Sequence, residues 1–596
     1  MLINNPNPNY VSYFSQPSSM FHRQYIAVRR FIVDGITADQ VAKETGFAKS
    51  TVYSLVRDFK ASVDDGTEDP FFKENAKIGR PPVDRNREAE EQVINLRKKY
   101  YSVPDIQIAM DAIGEHLTIY AIERILIGAG FAKMPRRDKD FRAATKSIPL
   151  RIEKAPIASK LNMEEDGYSD YFSSERAGLL LFIPIIIKYG IYKAIFDSRY
   201  PETSDISRFS SILSFLALKL TDVKRYSADD IWCMDRGTGL FAGLNVLPKT
   251  AWFSSYSSRV TRSMNVEFLR RMRSIWQNNG MLSDTVNLDF TAIPYWGDDE
   301  PLENNWSGKH NKALQSILSV LAQDPDSGLL IYGDTTIRQD RQEDAVLEFL
   351  DFYHSDSKLD ESLKYLVFDS KFTTYKNLSN LNQRGIKFIT IRRRSKNLVA
   401  HINSIDDIEF KKITVAKANN KHRVVTCFEE KGELRDYDGI VRQIYIKDNG
   451  RQKPAILITN DFDISLENLI HKYSHRWLIE TDISEHIDFF HLNLNSSGIV
   501  IKVDFDLTMT ILAHNLYRLI CHEYARYGFE HFEAQTMFDR LISGSGYIET
   551  KQDHVCVNLK KKRNHTHMLE VMPQFSNLRV PWLNNATIEF KSISTT

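Results

Sequence analysis

Two short apolar runs that each carry an aspartate constrain this chain more than any other feature. VNLDFTAI reads as a strand with Asp289 near its end, and KYLVFDSKF as a strand ending at Asp369. Between them, QSILSVLAQ and GLLIYGD read as two further strands separated by the turn DPDSG, and RQEDAVLEFLDFYHS as a helix with Ala345, Val346, Phe349 and Leu350 inward. YKNLSNLNQRG then reads as a helix and IKFITIRRR as a strand. Three antiparallel strands, a helix, a strand, a helix and a strand would be a frame able to bring Asp289 and Asp369 together.

A third carboxylate lies in YSHRWLIETDISEHIDFF, where the pattern changes from strand to helix. Tyr473, Arg476 and Glu480 follow at steps of three and four and share one helix face, while Trp477 and Ile487 point elsewhere and can anchor the helix in the core. Two aspartates and a glutamate supply hard oxygen ligands suited to Mg2+, with Mn2+ able to substitute. If the three converge they form a cradle for two divalent ions. One ion would lower the pKa of an attacking water or sugar hydroxyl, and the other would stabilise the departing 3'-oxygen in an in-line displacement. Each residue alone has a plainer reading: Asp289 as an exposed strand end, Asp369 as the start of a turn, Glu480 as a partner of Arg476. Together, on elements of this type and order, they favour catalysis on nucleic acid.

At 596 residues the chain needs three or four domains. A formal net charge of +1 does not single out a polyanion partner, but the charge is locally uneven. Nine Lys or Arg against three acidic residues lie between Lys133 and Lys160, and Arg392, Arg393 and Arg394 are consecutive, so phosphate-attracting patches are expected. Cys233, Cys427, Cys521 and Cys556 are far apart, which argues against a zinc finger and a disulfide framework. The run Leu179 to Ile187 is half a bilayer span, and the first residues lack a secretory pattern. A reducing, cytoplasmic and nucleoid-associated setting is expected, with no membrane contact.

ITADQVAKETGFAKSTVYSLVRDF has the spacing of a helix-turn-helix, with Gly46 at the turn. Lys49, Ser50, Thr51, Tyr53 and Ser54 would then face outward where base edges are read, although a protein-binding tri-helical module has the same spacing. REAEEQVINLRKKY, PDIQIAMDAIG and LTIYAIERILIGAGF repeat the arrangement, with Thr118 as a cap. In the intervening KIGRPPVDR, Arg80 could enter a minor groove or simply sit on a rigid spacer. Arg136 and Arg137 belong to a basic linker expected near phosphate. Between Asp369 and Glu480 lie 110 residues, much of them alternating (IEFKKITVA, HRVVTCFEE, DGIVRQIYIKD, KPAILITND). This reads as a β-rich insertion inside the catalytic domain that adds DNA-contacting surface and closes over the site, or else as a β-domain for subunit contact.

The chain resembles DDE transposases of the IS4-like superfamily, insertion-sequence enzymes whose ribonuclease-H-like domain is interrupted by β-strands. The resemblance rests on NLDFTAI, LVFDSKF, VRQIYIKDNGRQKPAILITND and YSHRWLIE, and spans roughly residues 175 to 540. In that fold the first and fourth strands lie side by side. The family signature places Tyr, Arg, Glu and Lys at spacings that Tyr473, Arg476 and Glu480 match, with Ile487 where the lysine belongs. His486 is adjacent but turned about 100° around a helix, so Lys371 or Arg392 is the expected substitute. Tyr473 and Arg476 are expected at the phosphate of the scissile end.

The resemblance implies double-stranded DNA with terminal inverted repeats and a target DNA as substrates, a homodimer in the synaptic complex, and end cleavage followed by strand transfer. A metal-dependent endonuclease without strand transfer, and a catalytically silent DNA-binding derivative, remain alternatives. Trp296, Trp306 and Trp477 are available for stacking on a flipped base, with core packing the expected fate of Trp477. The acidic run with Asp298, Asp299, Glu300 and Glu303 reads as a loop near DNA, with Lys309, His310 and Lys312 facing phosphate on its far side. His514 and His522 read as structural or solvent-facing.

The expected architecture is multidomain. Helix-turn-helix units span 20–62 and 83–135, a basic linker 136–174 and a helical domain 175–280. An α/β ribonuclease-H-like core follows over 281–398, is interrupted by the β-rich insertion at 399–460, and is completed with its catalytic helix over 461–540, before a β-containing segment at 541–596.

Overall fold

Caps and turns set the limits of the first helices. Ser19 Oγ accepts the His22 amide at the start of α1 (Met20–Ile32). Gly46, at φ +72°, makes the tight turn between α2 (Ala38–Thr45) and α3 (Lys49–Asp64). The three helices close over Ala27, Ala38, Val41 and Val52. Ser102 and Asp105 form a capping box at α5 (Val103–Ala112), which packs with α4 (Arg87–Lys98) and α6 (Ile119–Gly128) around Val93, Ile106, Met110 and Ile122. Each trio is a small core of its own.

The computed structural model describes residues 19–64, 87–99, 101–131, 156–165, 167–223, 231–295, 302–307, 312–354, 362–372, 374–416, 422–447, 454–492 and 499–594. The chain divides into two units, Met1–Leu150 and Arg151–Thr596. Arg80, Arg136, Arg137, Trp296, Asp298, Asp299, Glu300, Lys309 and His310 lie outside the described residues.

In the second unit, α7 (Phe182–Lys188), α8 (Arg208–Leu220) and α9 (Arg262–Asn278) make the middle of the chain helical, as its sequence suggests. The strands that follow are β2 (Thr285–Pro294), β3 (Asn304–Ser307), β4 (Lys312–Gln323) and β5 (Leu330–Ile337). Helix α10 (Ala345–Tyr353), β6 (Tyr365–Phe368), α11 (Tyr375–Gln383) and β7 (Lys387–Ile391) complete the first half. β4 pairs antiparallel with both β2 and β5, while β2, β6 and β7 run parallel in that order. Parallel neighbours need a crossover, and α10 and α11 provide it. β2 and β6, which match the first and fourth strands expected from the sequence, are direct partners.

After α12 (Lys396–Ser404), the alternating segments form β8 (Lys411–Ala416), β9 (His422–Glu433), β10 (Ile440–Ile446) and β11 (Ala455–Thr459). They extend the same sheet: β11 pairs antiparallel with β7, and β10, β9 and β8 follow outward. The chain then returns through α13 (Leu466–His475) and α14 (Trp477–Asp488) to α15 (Val500–Glu523), which packs on β5. Most of α15 is buried, so its polar side chains need partners. Asn515 brackets both the amide and the carbonyl of Leu330 at 2.8 Å, and Asp504 takes Arg262 at 2.8 Å.

A second sheet orders β1 (Ser169–Ser174), β12 (Gly546–Lys551), β13 (His554–Lys560), β15 (Ala586–Ile593) and β14 (Arg579–Val580). The end of the segment read as a basic linker is thus a strand, held by antiparallel pairing to β12. β2 also differs from its reading. It runs ten residues, so Asp289 sits inside the strand rather than near its end. Pairing with β4 continues from Asn287 to Pro294 and carries the strand past the aspartate.

Candidate active site

Strand register places the two aspartates. Leu288 pairs with Phe368 across the parallel β2–β6 ladder, so Asp289 and Asp369 are the next residue on each chain. The next backbone amide holds each carboxylate: Asp289 Oδ1 accepts the Phe290 amide at 2.8 Å, and Asp369 Oδ1 the Ser370 amide at 2.6 Å. The neighbouring rings join β2 to the turn after β6, with Phe290 stacked on Phe372 at 3.8 Å between centroids and 9° between planes.

The helix delivering Glu480 is broken where the site needs it. α13 ends at His475, whose carbonyl accepts Asn287 Nδ2 at 3.0 Å and so ties the helix end to β2. Arg476 stands between the helices and is 8% exposed. Its Nη1 meets Asp289 Oδ2 at 2.9 Å and its Nη2 meets Glu480 Oε1 at 2.8 Å. The guanidinium also lies 5.8 Å from the centre of the half-buried Tyr473 ring. Asp289, Tyr473, Arg476 and Glu480 thus meet at one place, and Asp369 acts on Asp289, Tyr473 and Arg476 through its charge.

Burial, with Glu480 and Asp369 nearby, pushes the Asp289 carboxyl up to about 6, although Arg476 and the Phe290 amide pull the other way. Burial works against the charge of Arg476 too, but Asp289, Tyr473, Glu480 and Asp369 outweigh it and hold the guanidinium protonated. No choice of one carboxylate oxygen from each of Asp289, Asp369 and Glu480 puts all three within 4.8 Å of one another. Their chemistry fits hard divalent cations, since three carboxylates face one arginine and one aspartate already resists ionising.

Beneath α14 lies a buried polar network that the sequence did not suggest. His514, fully buried on α15, pairs through Nδ1 with Glu485 at 2.9 Å and through Nε2 with the Gly328 carbonyl at 3.1 Å. Gln323 of β4 holds Asp482. Burial raises Asp482 to about 6, and Asp482 and Glu485 together raise His514 despite its burial. The network pins α14, the helix that carries Glu480, to β4 and α15. His486 is completely buried and neutral, and Ile487 is half-buried, so neither presents a cation.

Other positions scatter. Lys371 is exposed just after Asp369, whereas Arg392 is held by Gln443 of β10. A cleft of about 290 Å³ opens beside Ser370, lined by Thr374, Tyr375, Lys376 and Arg393 among others. Trp477 is 67% exposed, against its expected burial, because α14 turns that position outward while Ile479 enters the core. Trp306, on β3, is 60% exposed. At the start of α3, Lys49 pairs with Asp39 at 2.7 Å, Ser50 and Thr51 are exposed, Tyr53 is exposed against Phe31, and Ser54 is half-buried. Thr118 caps α6, accepting the Ala121 amide at 3.2 Å.

A mixed sheet thus brings aspartates from two adjacent parallel strands beside a helix that carries a glutamate. Residues 286–516, from β2 into α15, match the family model described as the transposase DDE domain. That stretch is similar to a transposase DDE domain. No curated protein matches the chain. No described helix is long and apolar enough to cross a membrane.

Proposed function

We propose that the protein is an IS4-like cut-and-paste transposase. On this reading it binds terminal inverted repeats, cleaves the element ends and joins them to target DNA. The observation that carries the reading is the meeting of Asp289, Arg476 and Glu480, with Asp369 one register step away on the adjoining strand. The strand order β5-β4-β2-β6-β7 supports a ribonuclease-H-like core, with β8 to β11 as the interrupting strands.

Asp289, Asp369 and Glu480 are the proposed catalytic residues and the ligands of Mg2+, two ions per site. When bound, the ions would activate the attacking oxygen and stabilise the departing 3'-oxygen. Arg476, with Tyr473 beneath it, offers a planar fork to the scissile phosphate. Lys371 takes the part of the lysine that Ile487 replaces, being exposed two residues from Asp369. Trp477 and Trp306 offer exposed rings to DNA, and the cleft beside Ser370 offers Lys376 and Arg393 to its backbone.

The two N-terminal helical trios are the proposed DNA readers, α3 through Lys49, Ser50, Thr51, Tyr53 and Ser54. Synapsis by a homodimer and a cytoplasmic, nucleoid-associated setting complete the proposal. The test is incubation with Mg2+ and DNA carrying the flanking ends of the gene. Nicks bearing 3'-OH, followed by joining to a target, are expected, and Asp289→Asn should bind without cutting. Wild-type protein that never cuts its own ends would overturn the enzyme, and cutting without joining would reduce it to a nuclease.

A further inference from the structure

The second sheet carries a set of donors far in sequence from the carboxylates above. His554 and Cys556 are two residues apart on β13 and share a face. Cys556 is flanked in register by Glu549 on β12 and Glu589 on β15, and His554 by Thr587 on β15. One ligand atom from each of His554, Cys556 and Glu589 lies within 4.8 Å of the others.

The hydrogen bonds prepare the histidine. Thr587 Oγ1 directs its hydrogen at the Asp553 carbonyl at 3.3 Å, so it accepts from His554 Nδ1–H at 3.1 Å. His554 Nε2 lies 3.5 Å from Glu589 Oε2. Fixing a ligating histidine through its other nitrogen is the usual outer-shell arrangement of a metal site. A lysine places a positive charge beside these donors. Lys591 Nζ meets Glu589 Oε2 at 2.9 Å and interacts with the Cys556 thiol. Its side chain is 53% exposed and free to swing out. Lys551 similarly holds Glu549 at 2.8 Å, and Cys556 Sγ also lies 3.8 Å from Asn558 Oδ1.

We propose that His554, Cys556 and Glu589 form a binding site for a Zn2+-type cation, which displaces Lys591 and ties β13 to β15. Nitrogen, sulfur and oxygen donors with one position left for water or Glu549 suit Zn2+ rather than the Mg2+ expected of the carboxylate site. Burial raises the Cys556 thiol, with Lys591 opposing, so cation binding releases the thiol proton.

The test is titration of the chelator-treated full chain with Co2+, followed by absorption. One equivalent should produce a cobalt–thiolate charge-transfer band, to which the carboxylate site contributes nothing. Asp289→Asn should keep the band, Cys556→Ser abolish it, and His554→Gln weaken binding at least about tenfold. Lys591→Gln, which leaves every donor in place, should tighten binding. A wild-type chain without the band, a band that survives Cys556→Ser, or Lys591→Gln binding no tighter would each overturn the proposal.

Discussion

Replacing Arg476 by glutamine tests the electrostatics of the site directly. The guanidinium pairs with Asp289, whose side chain is 16% exposed, and with Glu480, which is 40% exposed. The exposed half of the bridge is worth about 0–1 kcal/mol. The buried half is different, because removing one partner of a buried pair costs about 3–5 kcal/mol. Asp289 is already strained: its step from the ordinary 3.8 to about 6 corresponds to about 3 kcal/mol against the ionised form. Because the folded-state value is raised, this penalty is absent below pH 3.8, grows through the interval and is fully present above about pH 6. Without Arg476 the folded value rises further. Arg476→Gln should therefore melt several degrees below wild type at pH 8 and close to it at pH 5. Millimolar Mg2+ should restore more of the loss in the variant than it adds to the wild type. Melting curves at the two pH values, with and without Mg2+, check this. An equal deficit at both, indifferent to Mg2+, would refute the reasoning.

Asp369→Asn and Glu480→Gln should each lower end cleavage by at least about a thousandfold while leaving DNA binding intact, as expected where residues act as a unit; gel assays of cleavage and binding separate the two. His514→Gln leaves Asp482 and Glu485 without their cation and should cost about 3 kcal/mol. Because the pKa of His514 is raised, the loss should be larger at pH 7 than at pH 9.5, which chemical denaturation reads. Trp477→Ala removes an exposed ring and should change stability by less than about 0.5 kcal/mol while weakening binding of terminal DNA. Tyr53→Ala should weaken sequence-specific binding and leave the melting temperature unchanged, measured by fluorescence anisotropy and thermal shift.

Strands of the core were legible because their apolar runs are short, bounded and long enough to pair. β4, β5, β6 and β7 fall on QSILSVLAQ, GLLIYGD, KYLVFDSKF and IKFITIRRR. The position of Asp289 within β2 was less so: pairing beyond the aspartate depends on β4 across the sheet, not on local pattern. For the same reason β1 was invisible, since SDYFSS becomes a strand only through β12, almost four hundred residues later. Tyr473, Arg476 and Glu480 could be placed on one face by spacing, but the break after His475 depends on Asn287 reaching back from β2. Trp477 misled because a tryptophan suggests a core, whereas its neighbour Ile479 fills that place. The network around His514 joins β4, α14 and α15, and its residues carry no signal until those elements meet.

Arg476 also bears on how the three carboxylates are held before any cation arrives. Carboxylates brought together by backbone geometry repel, and the raised Asp289 reports that repulsion together with burial. One guanidinium spans Asp289 and Glu480, while Asp369 is held through the Ser370 amide. The arginine neutralises part of the charge and fixes the separation between strand and helix, and the His514 network fixes the helix from behind. On the proposed reading, a DNA phosphate competes with both carboxylates for the same fork. Docking of the scissile end would then free Asp289 and Glu480 together, so that cation affinity rises when DNA is bound. Reciprocity requires Mg2+ to tighten DNA binding by the same factor. In Arg476→Gln that coupling should shrink, because no arginine remains to be drawn away. Measuring DNA affinity with and without Ca2+, which takes oxygen ligands as Mg2+ does, gives the factor for both proteins. Equal coupling in the two would show that the bridge plays no part in it.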